Sequence, residues 1–172
     1  VSELIDGTVD AAIVPVIDCF NTPGLEVVEG LGICADGNVE SVLLRCKNQL
    51  ENVEAVKLDP ASRTSNLLLK VLAREHLPVG RDVIFGEDIE NPDASVMIGD
   101  RALCAKPSFE SYDLAGQWKD MTGLPFVFAV WAYRTGHPEG KRLTQILHAA
   151  RQAGCGAVGI LSGIYAPGLG IS

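Results

Sequence analysis

Apolar stretches along this chain are short, and turn-forming residues break them up. The longest passage, residues 126–132 (FVFAVWA), fits a buried strand and falls far below the roughly 20 residues that a membrane-spanning helix needs. Between such runs lie 18 Gly and 9 Pro, which cut the chain into many brief elements. Strand-like runs alternate with helical periodicity, and that alternation predicts an α/β fold. The chain has 172 residues, 47% hydrophobic and 21% charged, enough for one ordinary domain or two small lobes with a real core.

Residues 2–5 read as the last turn of a helix stopped by Gly7. Residues 10–16 (DAAIVPV) predict a buried strand of a parallel sheet. A second extended segment covers 25–34, Asp36-Gly37 makes a turn, and 39–44 and 53–58 follow as strands. Pro60 disfavours a helical Asp59 and ends the last of these. The clearest helix spans 62–75, with Ser62 as its N-cap and Leu67, Leu68, Val71 and Leu72 as its buried stripe. Strands at 83–85 and 94–98, a short helix at 112–119 and a long strand at 125–133 come next. A helix over 140–153 turns Leu143, Ile146, Leu147 and Ala150 inward, and a short one over 157–165 follows. Val1 follows no initiator Met, and Ser172 reads as the N-cap of a further helix, so both ends read as interior to a longer chain.

The formal charge of −8 disfavours nucleic acid and anionic membranes as partners. A small anion remains suitable wherever a helix N-terminus or an Arg supplies local positive charge. The five cysteines (Cys19, Cys34, Cys46, Cys104 and Cys155) are odd in number and form no C-x-x-C pair. They read as reduced, mostly buried thiols of a cytoplasmic protein, without a metal site or disulfide framework.

Three places could carry chemistry. In Leu58-Asp59-Pro60-Ala61-Ser62-Arg63-Thr64-Ser65 a strand turns into a helix whose first turn holds hydroxyls and an Arg. Unpaired N–H groups and the helix dipole there favour a carboxylate, although simple capping by Ser62 explains the same residues. Gly99 and Asp100 end a buried strand, where ligands bind in open α/β sheets; equally, Asp100 could cap the next helix. Ser41 heads a strand and means little alone. No nucleophile elbow, Walker loop or dinucleotide fingerprint occurs. His76, His137 and His148 are dispersed, and Glu87, Asp88 and Glu90 read as a solvated acidic surface.

The ordered set Ser41-Val42-Leu43-Leu44, Leu58-Asp59-x-x-Ser62-Arg63-Thr64-Ser65 and Ile98-Gly99-Asp100-x-Ala102-Leu103 is followed by Tyr112-Asp113-Leu114 with Trp118. Thr122-Gly123-Leu124-Pro125-Phe126-Val127-Phe128-Ala129 with Trp131 completes it. This order and spacing resemble the chorismate dehydratases of the futalosine route to menaquinone, from Leu4 to the end of the chain.

The resemblance implies a type II periplasmic-binding-protein-like fold, with two α/β lobes and a ligand cleft between them. Residues 1–40 and 126–172 would belong to an incomplete first lobe and 41–125 to the second, with crossings at 41–44 and 126–131. It implies a cofactor-free lyase converting chorismate to 3-enolpyruvyl-benzoate. Ser41, Ser62, Arg63, Thr64 and Ser65 would line the carboxylate side, faced by Gly99 and Asp100. No general base is evident, so the substrate's side-chain carboxylate is the expected proton acceptor. The family's first strand and helix, with an early Asn, would precede Val1. Two alternatives remain open: a non-catalytic carboxylate-binding protein of the same fold, and the naphthoate-forming sister enzyme of the pathway. The Ser-Arg-Thr-Ser helix start fits the dehydratase better than the sister.

Overall fold

The computed structural model describes residues 1–105 and 110–170. Ser172, with its expected capping role, lies outside the described residues. The chain divides into two compact units, Val1–Cys34 with Val127–Ser172, and Ala35–Phe126.

In the first unit, α1 (Ser2–Ile5) ends at Asp6, and Gly7 follows with φ 86°, the left-handed stop expected of a glycine there. β1 (Ala11–Pro15), α2 (Val16–Asn21) and β2 (Leu25–Ala35) come next. After the second unit the chain returns through β8 (Phe126–Arg134), α6 (Gly140–Gly156) and α7 (Val158–Leu169). The sheet order is β1-β8-β2. β1 pairs with β8 antiparallel, from Ala11 opposite Tyr133 to Pro15 opposite Ala129, which corrects the expected parallel pairing of residues 10–16. Richness in Ile and Val signals a strand but not its direction.

Leu4, Val14 and Ala132 form one core cluster of this unit; Val28, Leu31 and Tyr133 form another, against which Leu143 and Leu147 of α6 pack. Gly140 lets α6 start close to the sheet, because a Cβ there would stand 2.9 Å from the Tyr133 ring. Ile146 and Ala150, expected inward, are exposed instead.

The second unit holds β3 (Val42–Cys46), a 3-10 turn at Leu50–Asn52, β4 (Ala55–Lys57), α3 (Arg63–Glu75) and β5 (Ile84–Gly86). β6 (Ala94–Ile98), α4 (Asp100–Leu103), β7 (Glu110–Asp113) and α5 (Leu114–Thr122) complete it. Residues 41–44 lie wholly inside this unit. Its sheet runs β5-β4-β6-β3-β7, mixed in direction: β4 is parallel to β5 and β6, while β3 is antiparallel to β6 and β7.

α3 buries Leu68, Leu69 and Leu72, whereas Leu67 and Val71 of the expected stripe are exposed. Three consecutive leucines, 67–69, leave the phase of the stripe ambiguous in sequence. Tyr112 belongs to β7, not to the helix expected over 112–119; α5 begins only after Asp113 caps it. Cys46 is the one buried thiol. Cys34, Cys104 and Cys155 are exposed and Cys19 is half-buried, contrary to the expected burial of most. Among the described residues no helix is long and apolar enough to cross a membrane.

Candidate functional site

The directions of the strands place the expected site residues along one edge of the second unit's sheet. β4 and β6 are parallel neighbours, so the turn into α3 and Gly99 follow strand ends on the same edge. β3 runs the other way, with Val42 opposite Ile98, which brings Ser41 to that edge as well. The Ser41 carbonyl accepts the Gly99 N–H at 2.8 Å. β7 is antiparallel to β3, with Asp113 opposite Leu43, so the start of α5 lies there too.

Ser62 caps α3. Its Oγ accepts the Ser65 N–H at 3.3 Å and donates to Ser65 Oγ at 2.7 Å. The capping role read from sequence is therefore present, and it leaves the Ser65 hydroxyl hydrogen for another acceptor. Thr64 and Ser65 are buried, Ser62 is half-buried and Arg63 is exposed. Thr64 Oγ1 is fully buried and has no hydrogen-bond partner among the described residues. Buried hydroxyls are nearly always paired, and leaving one unmade costs about 1–3 kcal/mol.

Gly99 combines φ 61° with ψ −145°, backbone that only glycine adopts readily. A Cβ there would meet nothing within 4 Å, so backbone freedom, not space, calls for the glycine. Asp100 is exposed and opens the four-residue α4.

Two groups that sequence reasoning passed over tie these segments together. Asp59 is buried, and its Oδ1 accepts the Ala61 N–H at 3.0 Å while Oδ2 pairs with the Arg101 guanidinium. Arg101 follows Asp100, so this pair links the α3 turn to the Gly99 segment. Asn66 clasps the same turn from α3. Its Oδ1 accepts the Asp59 N–H at 3.1 Å, and its Nδ2 donates to the Asp59 carbonyl at 2.8 Å. The second group is Asp113, whose Oδ1 accepts from Ala115 and Gly116 N–H and whose Oδ2 accepts from Val39 and Glu40 N–H. An Asp just before an apolar helical run is a cap signal, but it is masked when the helix is started at Tyr112.

This edge offers hydroxyl and backbone donors with one buried unpaired hydroxyl, a set suited to a carboxylate. Among the described residues no group of three or more His, Cys, Asp or Glu side chains is placed to hold a metal ion. A groove of about 700 Å³ lined by Lys70, Arg74, Arg81 and Phe85 lies at the opposite end of α3.

Comparison with known proteins adds to this geometry. The chain is 33% identical to chorismate dehydratase of Thermus thermophilus over 83% of its own length and 63% of that protein's. It is 37% identical to chorismate dehydratase of Campylobacter jejuni over 70% of this chain and 44% of that one. The chain thus spans less than two thirds of the length of these relatives. Among solved structures, an ABC transporter protein from Parabacteroides distasonis matches with a TM-score of 0.58 at 17% identity, over 91% of this chain and 58% of that one. Such likenesses show a type II periplasmic-binding-protein-like α/β fold. The menaquinone biosynthesis family matches residues 1–161, and the chain belongs to that family.

Proposed function

We propose that this protein is a carbon–oxygen lyase that removes water from chorismate in menaquinone biosynthesis. Family membership over residues 1–161 and identity to two chorismate dehydratases support the reading. The observation that carries it to particular residues is the buried, unpaired Thr64 Oγ1 at the N-terminus of a 13-residue helix, beside the Ser62–Ser65 pair. A substrate carboxylate placed there would accept from Thr64 and Ser65 and meet the positive end of the helix dipole. Ser41, Gly99 and Asp100 would bound the same ligand from the neighbouring strand ends. Arg63, exposed on α3, would add charge at the rim.

In the reaction one ring C–H and one ring C–O bond break, a ring C=C forms and the ring becomes aromatic. The substrate's own enolpyruvyl carboxylate takes the ring proton and passes it to the departing hydroxyl, which leaves as water, so the step needs no redox or group-transfer cofactor. Aromatisation supplies driving force, and the protein contributes orientation and stabilisation of developing charge. This assignment fits the local carboxylates. Asp59 is engaged with Arg101 and the Ala61 N–H, and Asp113 with four N–H groups. Five thiols outside any disulfide fit a reducing cytoplasm.

The test is to incubate the protein with chorismate and follow it by mass spectrometry. Loss of one water, with Asp100→Asn retaining turnover, supports the lyase and the substrate-borne base. Saturable binding of unchanged chorismate replaces the lyase by a carboxylate-binding protein.

A further inference from the structure

We infer that Asp113 is a positioning residue that sets the Ser41–Gly99 side of the site; the inference rests on the reading that this side meets the substrate. Helix capping uses only half of its carboxylate. Oδ1 accepts from Ala115 and Gly116 N–H, both at 3.0 Å, which satisfies the first turn of α5. Oδ2 faces another part of the chain, accepting from Val39 N–H at 2.8 Å and Glu40 N–H at 2.7 Å, more than 70 residues away in sequence. Glu40 has φ 58°, left-handed backbone that a Glu adopts rarely and holds only when its surroundings fix it.

The same segment also packs against α5 at Gly116. A Cβ at Gly116 would overlap Asn38 Oδ1, so a side chain at residue 116 would force the Asn38 side chain out of its place. Ser41 follows directly, and its carbonyl holds the Gly99 N–H at 2.8 Å. Asp113 therefore acts on Ser41 and Gly99 through two consecutive hydrogen-bonded links, without being placed against the ligand itself. Charged acceptors make the stronger hydrogen bonds, and small displacements of binding groups are costly.

Asp113→Asn separates this role from capping. An amide keeps one oxygen to cap α5, but its NH2 cannot accept from residues 39 and 40. The expected result is faster hydrogen exchange at the Val39, Glu40 and Gly99 amides, with Ala115 and Gly116 still protected. KM for chorismate should rise roughly tenfold, with a smaller change in kcat. Gly116→Ala, with Asp113 untouched, should raise KM in the same way by pushing Asn38, and adding Asn38→Ala should restore it. A melting-temperature drop with unchanged KM, or unchanged exchange at residues 39, 40 and 99, overturns the inference. If the unaltered protein leaves chorismate intact, the dehydratase reading fails, and exchange at Gly99 in Asp113→Asn still decides for or against the clamp.

Discussion

In the second unit α3 buries Leu68, Leu69 and Leu72 to 3% exposure or less, whereas α7 of the first unit buries none of its twelve residues. The contrast begins in sequence. α3 is amphipathic, and one apolar side is enough to dock it. α7 (VGILSGIYAPGL) is apolar nearly all round, and Val158, Ile160, Ile164 and Tyr165 are each at least 60% exposed. A helix apolar on all sides needs neighbours on more than one of them. The second unit closes its core over α3 and α5 and, at one sheet edge, ties its polar groups together through Asp59 and Asp113. Preorganised donors need such a rigid base, and the candidate site stands on the part of the chain that provides it.

The largest effect should come from Leu72→Ala, which empties a fully buried position on α3 and is expected to cost about 2–5 kcal/mol in urea unfolding. Ile164→Ala on α7, 63% exposed, should stay within about 0.5 kcal/mol. Equal losses would erase the distinction between the units.

A smaller but clear effect is expected at Gly32 in β2, where the first unit is tightly packed. A Cβ there would stand 2.5 Å from the Ala129 carbonyl oxygen, so Gly32→Ala should lower thermal stability by about 1–3 kcal/mol. An unchanged melting temperature would mean that the β2–β8 pair is looser than described.

Smaller again is a pH effect. Burial, with the negative charge of Glu110, pushes the Cys46 thiol up from its ordinary value of 9.0 to about 11. A raised folded-state value means that the unfolded chain loses this proton first as pH rises. Its contribution is therefore fully present below pH 9 and lost as pH rises towards 11. The second unit should lose about 1 kcal/mol from this source by pH 10, a fall that Cys46→Ala removes. Iodoacetamide at neutral pH should modify exposed Cys34 and Cys155 well before Cys46. A Cys46 as reactive as those two would contradict the burial.

Features carried by neighbouring residues were legible in sequence. Ser62 as the cap of α3, Gly7 as a helix stop and the strand at Ala94–Ile98 all follow from local chemistry. The gathering of Ser41, Ser62–Ser65 and Gly99 on one edge follows from strand directions, which composition does not encode; the antiparallel β1–β8 pair shows the same limit. Long-range clamps were not legible at all. Arg101 lies 42 residues from Asp59, and Val39 lies 74 from Asp113, with no local pattern announcing either partner. β7 (ESYD) has no apolar alternation to mark it as a strand, so sequence alone places its Asp113 inside a helix instead of ahead of one.

A carboxylate substrate is proposed to sit at the sheet edge formed by the start of α3 and Gly99. Amide NMR shifts on titrating chorismate into the protein locate the ligand. Saturable shifts led by the Thr64, Ser65 and Gly99 amides and weakened by Thr64→Ala are expected. Shifts centred instead on Lys70, Arg74 and Arg81 at the far end of α3, or none at millimolar chorismate, would contradict this placement.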